Sequence, residues 1–219
     1  IQDKNTQVSF RWFALNKLGY ATKIALQEER LLLLNYSQKL IYSTPNYTFG
    51  KKRFYVFDFY NKSSLGSIRT YKSDYPSSTS ALDLSLKAMP NFSSNEKIRE
   101  LVFNDGKVKH TFKLPYNKND IDFLNTYPQA DYNTYFDAPM DAKSAAVLIN
   151  ELKPLLDNKR ASEAINIVLH FVQKSFNYQR DDEQFGREKV MFAQETIYYK
   201  SSDCEDRAIL FAYLIKELF

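Results

Sequence analysis

The reading of the fold turns on Ser202-Asp203-Cys204-Glu205-Asp206-Arg207-Ala208, close to the end of the chain. Downstream of it, Ala208, Leu210, Phe211, Ala212, Leu214, Ile215 and Leu218 are apolar most of the way round a helical projection. That pattern predicts a helix over 203–219 buried on nearly all sides. Asp203 is placed to cap this helix, and the only cysteine, Cys204, falls in its first turn. The unpaired N–H groups and partial positive charge of a helix N-terminus favour a thiolate, which is the nucleophilic form of the side chain. The cysteine's own N–H points to where an oxyanion would form. Against this, the carboxylates of Asp203, Glu205 and Asp206 oppose a thiolate unless they point away or pair with Arg207, so the arrangement calls for a positive partner. A lone cysteine on a buried helix is ordinarily a small core residue, and only its neighbours can argue otherwise.

Working back from this stretch, Asn177–Phe185 reads as a polar loop. Ser162 is placed to cap a helix whose Ile165, Val168/Leu169, Val172 and Phe176 keep helical spacing. Asp141 caps another through Ala145, Ala146, Leu148, Ile149 and Leu152, which Pro154 is expected to end or kink. The polar stretch Pro115–Pro139 reads as a long connection. The period changes near residue 139, which predicts a β-rich region over 1–139 and a helical one over 140–219. In the first region Phe10–Leu18 is a short helix with Trp12/Phe13, Leu15 and Leu18 on one face and Gly19 as its C-cap glycine. Strands are predicted over 20–26, 30–35, 38–43, 53–60, 67–71 and 81–87, with Gln27-Glu28-Glu29 and Thr44-Pro45-Asn46 as turns. Asn104-Asp105-Gly106, between 97–103 and 107–114, is the strongest hairpin signal, because Asp-Gly takes the positive φ angles such turns require. Residues 20–115 therefore read as one antiparallel, aromatic-rich sheet, and the fold class as α+β.

The chain has 219 residues, with 17 Phe, 16 Tyr and 1 Trp, 5 Gly and 7 Pro. It is long enough for a substantial core, and its composition is far from that of disordered or collagen-like chains. No apolar run approaches the ~20 residues of a membrane span. The formal net charge is +4, with the surplus in the first 60 residues. Lys51-Lys52-Arg53, the only dense basic run, reads as a solvated turn before a strand, so nucleic acid is not implied. One cysteine excludes an intramolecular disulfide and a Cys-rich zinc site, and His110 and His170 cannot build a His-rich one, so neither metal nor cofactor is expected. The sequence begins at Ile1 without a signal-like apolar region, which reads as a processed chain, a trimmed one or an internal piece.

Asp203-Cys204-Glu205-Asp206-Arg207-Ala208-Ile209-Leu210-Phe211, preceded by Glu195-Thr196-Ile197-Tyr198-Tyr199 and by Phe176-Asn177-Tyr178, resembles the nucleophile segment of the transglutaminase-like superfamily. That family reads approximately Gly-Asp-Cys-x-Asp-Arg-Ala at the start of a central helix, after an earlier helix ending in aromatic-x-Tyr. The resemblance spans roughly residues 160–219, and it implies the helical front half of a papain-like domain. Cys204 would attack a carboxamide or peptide carbonyl of a protein or peptide substrate, giving a thioester resolved by water or by an amine. Ser202 stands where the family usually has Gly. The family's base is a His on the first strand after the nucleophile helix and its orienting Asp lies on the next strand, so neither is assigned here. His110 reads as an exposed or edge-strand residue and His170 as part of a solvated helix face. Tyr198, six residues before the thiol, is a candidate second oxyanion donor, with Tyr199 and Gln194 as lesser ones; Ile197-Tyr198-Tyr199 also reads as an apolar core cluster.

A helix that ends at Leu218-Phe219 without a C-cap glycine or polar tail predicts a longer parent protein. Residues 1–60, with Leu18-Gly19 before strands and Phe57-Asp58, also resemble a degenerate post-nucleophile half of the same superfamily; an ordinary helix leading into a sheet accounts for them as well. The leading expectation is thus an exported, multidomain transglutaminase-like cysteine hydrolase. A lone cysteine fits either redox compartment, and oligomeric state is left open. The alternative expectation is a non-catalytic binding or scaffold protein that keeps the fold, and carbohydrate binding through exposed Tyr and Trp rests on aromatic abundance alone.

Overall fold

The computed structural model describes residues 3–57, 66–106 and 108–219. The fold is mixed α+β, and the chain divides into two compact units, one of residues 1–84 with 128–131 and one of residues 85–127 with 132–219.

The first unit opens with helix α1 (Lys4–Lys17), capped by Asp3, whose carboxylate accepts from the Thr6 N–H. Gly19 at φ 89° follows where a C-cap glycine was expected. The buried face differs from the predicted one: Phe13 is 50% exposed and Leu18 72% exposed, while Asn16 is buried with its Nδ2 donating to Thr22 Oγ1. Starting the helix at Lys4 sets its inward stripe along Val8, Trp12 and Asn16, a polar residue that the apolar pattern passed over.

Strands β1 (Thr22–Gln27), β2 (Arg30–Ser37), β3 (Asn46–Phe49), β4 (Lys52–Val56) and β5 (Arg69–Thr70) form an antiparallel sheet in the order β3-β4-β2-β1-β5. Ala25, Leu32, Leu34, Phe54 and Val56 make its core. Asn46, read as turn, opens β3, whereas 38–43 forms only an isolated bridge, Ile41 to Ala130. Residues 58–60 of the predicted strand 53–60, and with them Asp58, lie outside the described residues. The 81–87 run has Leu84 and Leu86 buried, as its alternation requires, but it forms no strand of a sheet, and Leu82 N–H donates to the Tyr36 carbonyl at 2.7 Å. Period-2 burial reports an extended backbone with one covered face and says nothing about ladder partners.

The second unit begins with the hairpin of β6 (Glu96–Asn104) and β7 (Lys109–Asn117), turned at Asp105-Gly106 with Gly106 at φ 94°. Lys107, in the predicted second strand, is outside the described residues. This hairpin is its own two-stranded sheet, not a continuation of the first. Its inner residues Leu101, Phe103, Phe112 and Leu114 belong to the helical core. The stretch read as a polar connection carries two helices, α2 (Lys118–Asn125) and α3 (Asn133–Phe136), the first capped by Asn117.

Helix α4 (Ala142–Leu156) is capped by Asp141 and runs past Pro154. Helix α5 (Ala161–Lys174) starts before the expected cap, because Arg160 with Glu163 takes that role from Ser162. Its buried stripe is Ala164, Val168, Phe171 and Val172, and Ile165 is 39% exposed. Strand β8 (Asn177–Tyr178), helices α6 (Asp181–Phe185) and α7 (Ala193–Tyr198) and strand β9 (Ser201–Ser202) lead to α8 (Cys204–Leu218).

Helix α8 is one-sided rather than buried all round. Asp206, Ile209, Leu210, Tyr213 and Leu214 are buried, whereas Phe211, Ala212 and Ile215 are half-buried and Ala208 is exposed. The buried positions recur at helical spacing, and the small Ala208 and Ala212 made the other face read as more apolar than it is. Leu148 and Leu152 of α4, Val168 of α5, and Ile209, Leu210 and Leu214 of α8 share one core with the hairpin. Among the described residues no helix is long and apolar enough to cross a membrane.

Candidate functional site around Cys204

Two short strands bring together the end of α5 and the start of α8. Strand β8 pairs in parallel with β9, setting Asn177 opposite Ser201 and Tyr178 opposite Ser202. Arg207 fixes this junction: its Nε donates to Ser202 Oγ at 3.1 Å, its Nη2 to the Phe176 carbonyl at 3.0 Å, and its guanidinium lies 5.7 Å from the Tyr178 ring centroid. The hydroxyl at 202, where the resembled family has no side chain, is therefore engaged by Arg207. The same bonds commit Arg207 to the junction rather than to the neighbouring carboxylates.

Cys204 is the first residue of α8, and its side chain is exposed. Tyr178, opposite Ser202, is a neighbour of Cys204, and the electrostatic influence of Cys204 is the first cause raising the Tyr178 hydroxyl above the ordinary tyrosine value. A phenolic O–H here can donate to a thiolate or to an oxyanion formed beside it.

Behind the thiol lies a group of buried acids. Asp203 and Asp206 face each other's backbone N–H in a reciprocal box at the start of α8, and Asp206 also accepts from the Met191 N–H at 2.8 Å. Asp181, at the start of α6, accepts from the Lys189 N–H at 2.7 Å. Lys189 is buried as well and donates to Glu195 Oε1 at 2.7 Å, while Glu195 Oε2 accepts from the Phe192 N–H. Four carboxylates thus pin the segment 189–192 and the starts of α7 and α8, with Thr196 Oγ1 donating to the Asp206 carbonyl at 3.5 Å.

Burial, the largest cause in each case, pushes Asp181 up to about 6 and Asp206 up to about 8. It raises Asp203 and Glu195 too, and Lys189 opposes the shift at Glu195. At the rim, burial raises Glu188, and the charge of neighbouring Glu205 adds to the shift. One oxygen of Asp181 and one of Asp203 have no hydrogen-bond partner, although these residues are 3% and 8% exposed.

Tyr198 ends α7 half-buried, with its ring in edge contact with Tyr116 at 4.9 Å and Tyr199 at 4.8 Å. Tyr199 packs on Phe185 at 5.2 Å, and burial pushes its hydroxyl up to about 12. Gln194 Oε1 accepts from the Asp141 N–H at 2.8 Å, which ties α7 to the start of α4. His110 is bonded to Asp105 at 3.1 Å in the hairpin, and His170 is exposed on α5. Among the described residues neither histidine hydrogen-bonds to the thiol.

The sequence reading placed Tyr178 only as a helix-end marker; its pairing opposite Ser202 is what sets it at the sulfur. Asp181 gave no signal, lying in a segment read as polar loop, and Lys189 showed no sign of burial. No family model matches the chain, and no curated protein or solved structure matches it either.

Proposed function

We propose that Cys204 is the nucleophile of a transglutaminase-like cysteine hydrolase acting on amide carbonyls of proteins or peptides. The observation that carries this reading is the exposed thiol in the first turn of α8, with Tyr178 brought near it by the β8–β9 pairing. Sulfur at that position draws on the unpaired N–H groups of the helix start and on one phenolic donor.

In the proposed reaction the thiolate adds to the carbonyl carbon, forming a C–S bond and an oxyanion. The C–N bond then breaks, and the amine leaves with a proton from a general acid. Water or a second amine displaces the thiolate from the resulting thioester. Tyr178 and the Cys204 N–H would donate to the oxyanion, and Tyr198 remains the alternative donor named from sequence. A general base is required, and among the described residues neither His110 nor His170 is positioned for it.

An activated acyl ester, whose leaving group needs no proton, tests the nucleophile without that base. Incubation with p-nitrophenyl acetate should place an acetyl group on Cys204 that hydroxylamine removes, as read by intact mass and peptide mapping. Cys204→Ser should abolish it. Acetylation confined to lysines would count against the reading and favour a scaffold role.

A further inference from the structure

We propose that α1 docks the chain on the surface of an anionic phospholipid membrane, with Phe10, Phe13 and Leu18 entering the headgroup region and Arg11 and Lys17 meeting lipid phosphates. The helix is anchored to the first unit through Trp12 and Asn16. Trp12 Nε1 donates to the Tyr71 hydroxyl at 3.0 Å, and the indole packs edge-on against Tyr71 and Tyr75. Asn16 Nδ2 donates to Thr22 Oγ1 at 2.7 Å, and the Asn16 carbonyl accepts from Ser78 Oγ at 2.8 Å.

At about 100° per residue, Phe10, Phe13 and Lys17 fall within about 60° of one another, on the side turned away from these anchors. Phe10 is 61% exposed, and Phe13 and Leu18 are exposed with it. Ala14 stands between Phe10 and Leu18 at four-residue spacing, so the apolar side chains form one continuous strip. Trp12 and Asn16 already hold the helix in place, and packing asks nothing of this outer side. Large apolar side chains gathered on such a face mark a docking surface rather than a fold requirement.

Charge decides what docks there. Helix α1 carries Lys4, Arg11 and Lys17 and no acidic residue in its 14 positions. Asp3, at its N-cap, gives its carboxylate to the Thr6 N–H and hydroxyl. Glu29 meets the helix at Asn5, on the sheet side, through its backbone carbonyl. Lys17 Nζ lies 5.6 Å from the Phe13 ring centroid, which puts a cation and an inserting ring at one place. Exposed aromatics among basic neighbours are the composition of a helix that lies flat in a lipid interface and prefers anionic headgroups. On the Arg11 side the strip borders a cleft lined by Val8, Leu31, Leu33 and Val56. An apolar floor beside a guanidinium suits an acyl chain beneath its phosphate. None of this rests on the chemistry of Cys204.

The test is co-sedimentation of the full chain with vesicles of phosphatidylcholine, with and without phosphatidylglycerol. Binding should be about tenfold or more tighter with phosphatidylglycerol present, and should weaken as salt rises. Phe10→Ser combined with Phe13→Ser should reduce binding about tenfold or more and leave the thermal midpoint unchanged, because both side chains face solvent. Arg11→Glu combined with Lys17→Glu should erase the preference for anionic vesicles. The proposal is overturned by no binding to phosphatidylglycerol vesicles at low salt, by equal binding to both vesicle types, or by binding that the serine substitutions leave unchanged. Self-association in sedimentation velocity that the serine substitutions abolish, with no vesicle binding, would overturn it in favour of a second copy of the chain on this face.

Discussion

The two units treat buried charge in opposite ways. In the first, Lys23 is sunk in the sheet, and its ammonium meets Asp74 at 2.8 Å, the carbonyls of Lys72 and Ser73, and the Tyr71 ring at 4.8 Å. Charge, donors and aromatic face are all matched. In the second, Asp181, Asp203, Glu195 and Asp206 are buried around the start of α8, and among the described residues only Glu195 has a basic partner. A fold that balances one buried charge so fully and leaves three others uncompensated concentrates the imbalance in one place, beside its only thiol. Such local departures from good packing mark functional sites more often than accidents of folding.

The comparison can be broken most forcefully at the pair the second unit does balance. Lys189→Ala leaves Glu195 buried without a basic partner and should cost about 3–5 kcal/mol, read from urea unfolding. A loss below about 1 kcal/mol would mean that Glu195 holds a proton and that this unit tolerates all of its acids in neutral form. Next in size, Leu210→Ala, at a fully buried position in the shared core, should cost about 2–5 kcal/mol and bring no change in the alkylation rate of Cys204.

The pH dependence follows from Asp181 and Asp206. Both carboxyls sit above their ordinary value in the folded protein, so between the unfolded and folded values the native state holds protons that the unfolded state releases. Their contribution to stability is full below about pH 4, the unfolded value, and falls as pH rises. The Asp181 contribution is lost between about 4 and about 6, amounting to roughly 2–4 kcal/mol, and the Asp206 contribution continues to about 8. Urea unfolding across this range should show the decline, and Asp206→Asn should flatten its upper part. A rise in stability over pH 4–8 would show that these groups are ionised and compensated. Smallest of all, Asp74→Ala in the first unit should cost about 1 kcal/mol, because Asp74 is half-exposed and Lys23 keeps its two carbonyls.

How far the sequence could be read follows the same division. The hairpin at Asp105-Gly106, the caps Asp141 and Asp203, and Gly19 were legible because each is a local requirement of backbone geometry. The separation of that hairpin from the first sheet was not legible, since strand periodicity carries no information on partners. At the site, the position of Cys204 in the first turn of α8 was legible from the apolar run behind it. Tyr178 needed the pairing of two two-residue strands, and Asp181 needed burial imposed by tertiary packing on a polar segment. Neither leaves a periodic trace.

The most direct measurement is the second-order rate of iodoacetamide alkylation at Cys204 as a function of pH, compared with a model cysteine peptide. With one cysteine in the chain, the modified residue is unambiguous. The account predicts that Cys204 reacts faster than the peptide near neutral pH, and that Tyr178→Phe removes a good part of the advantage without altering the fold. A rate no faster than the peptide at every pH would contradict it.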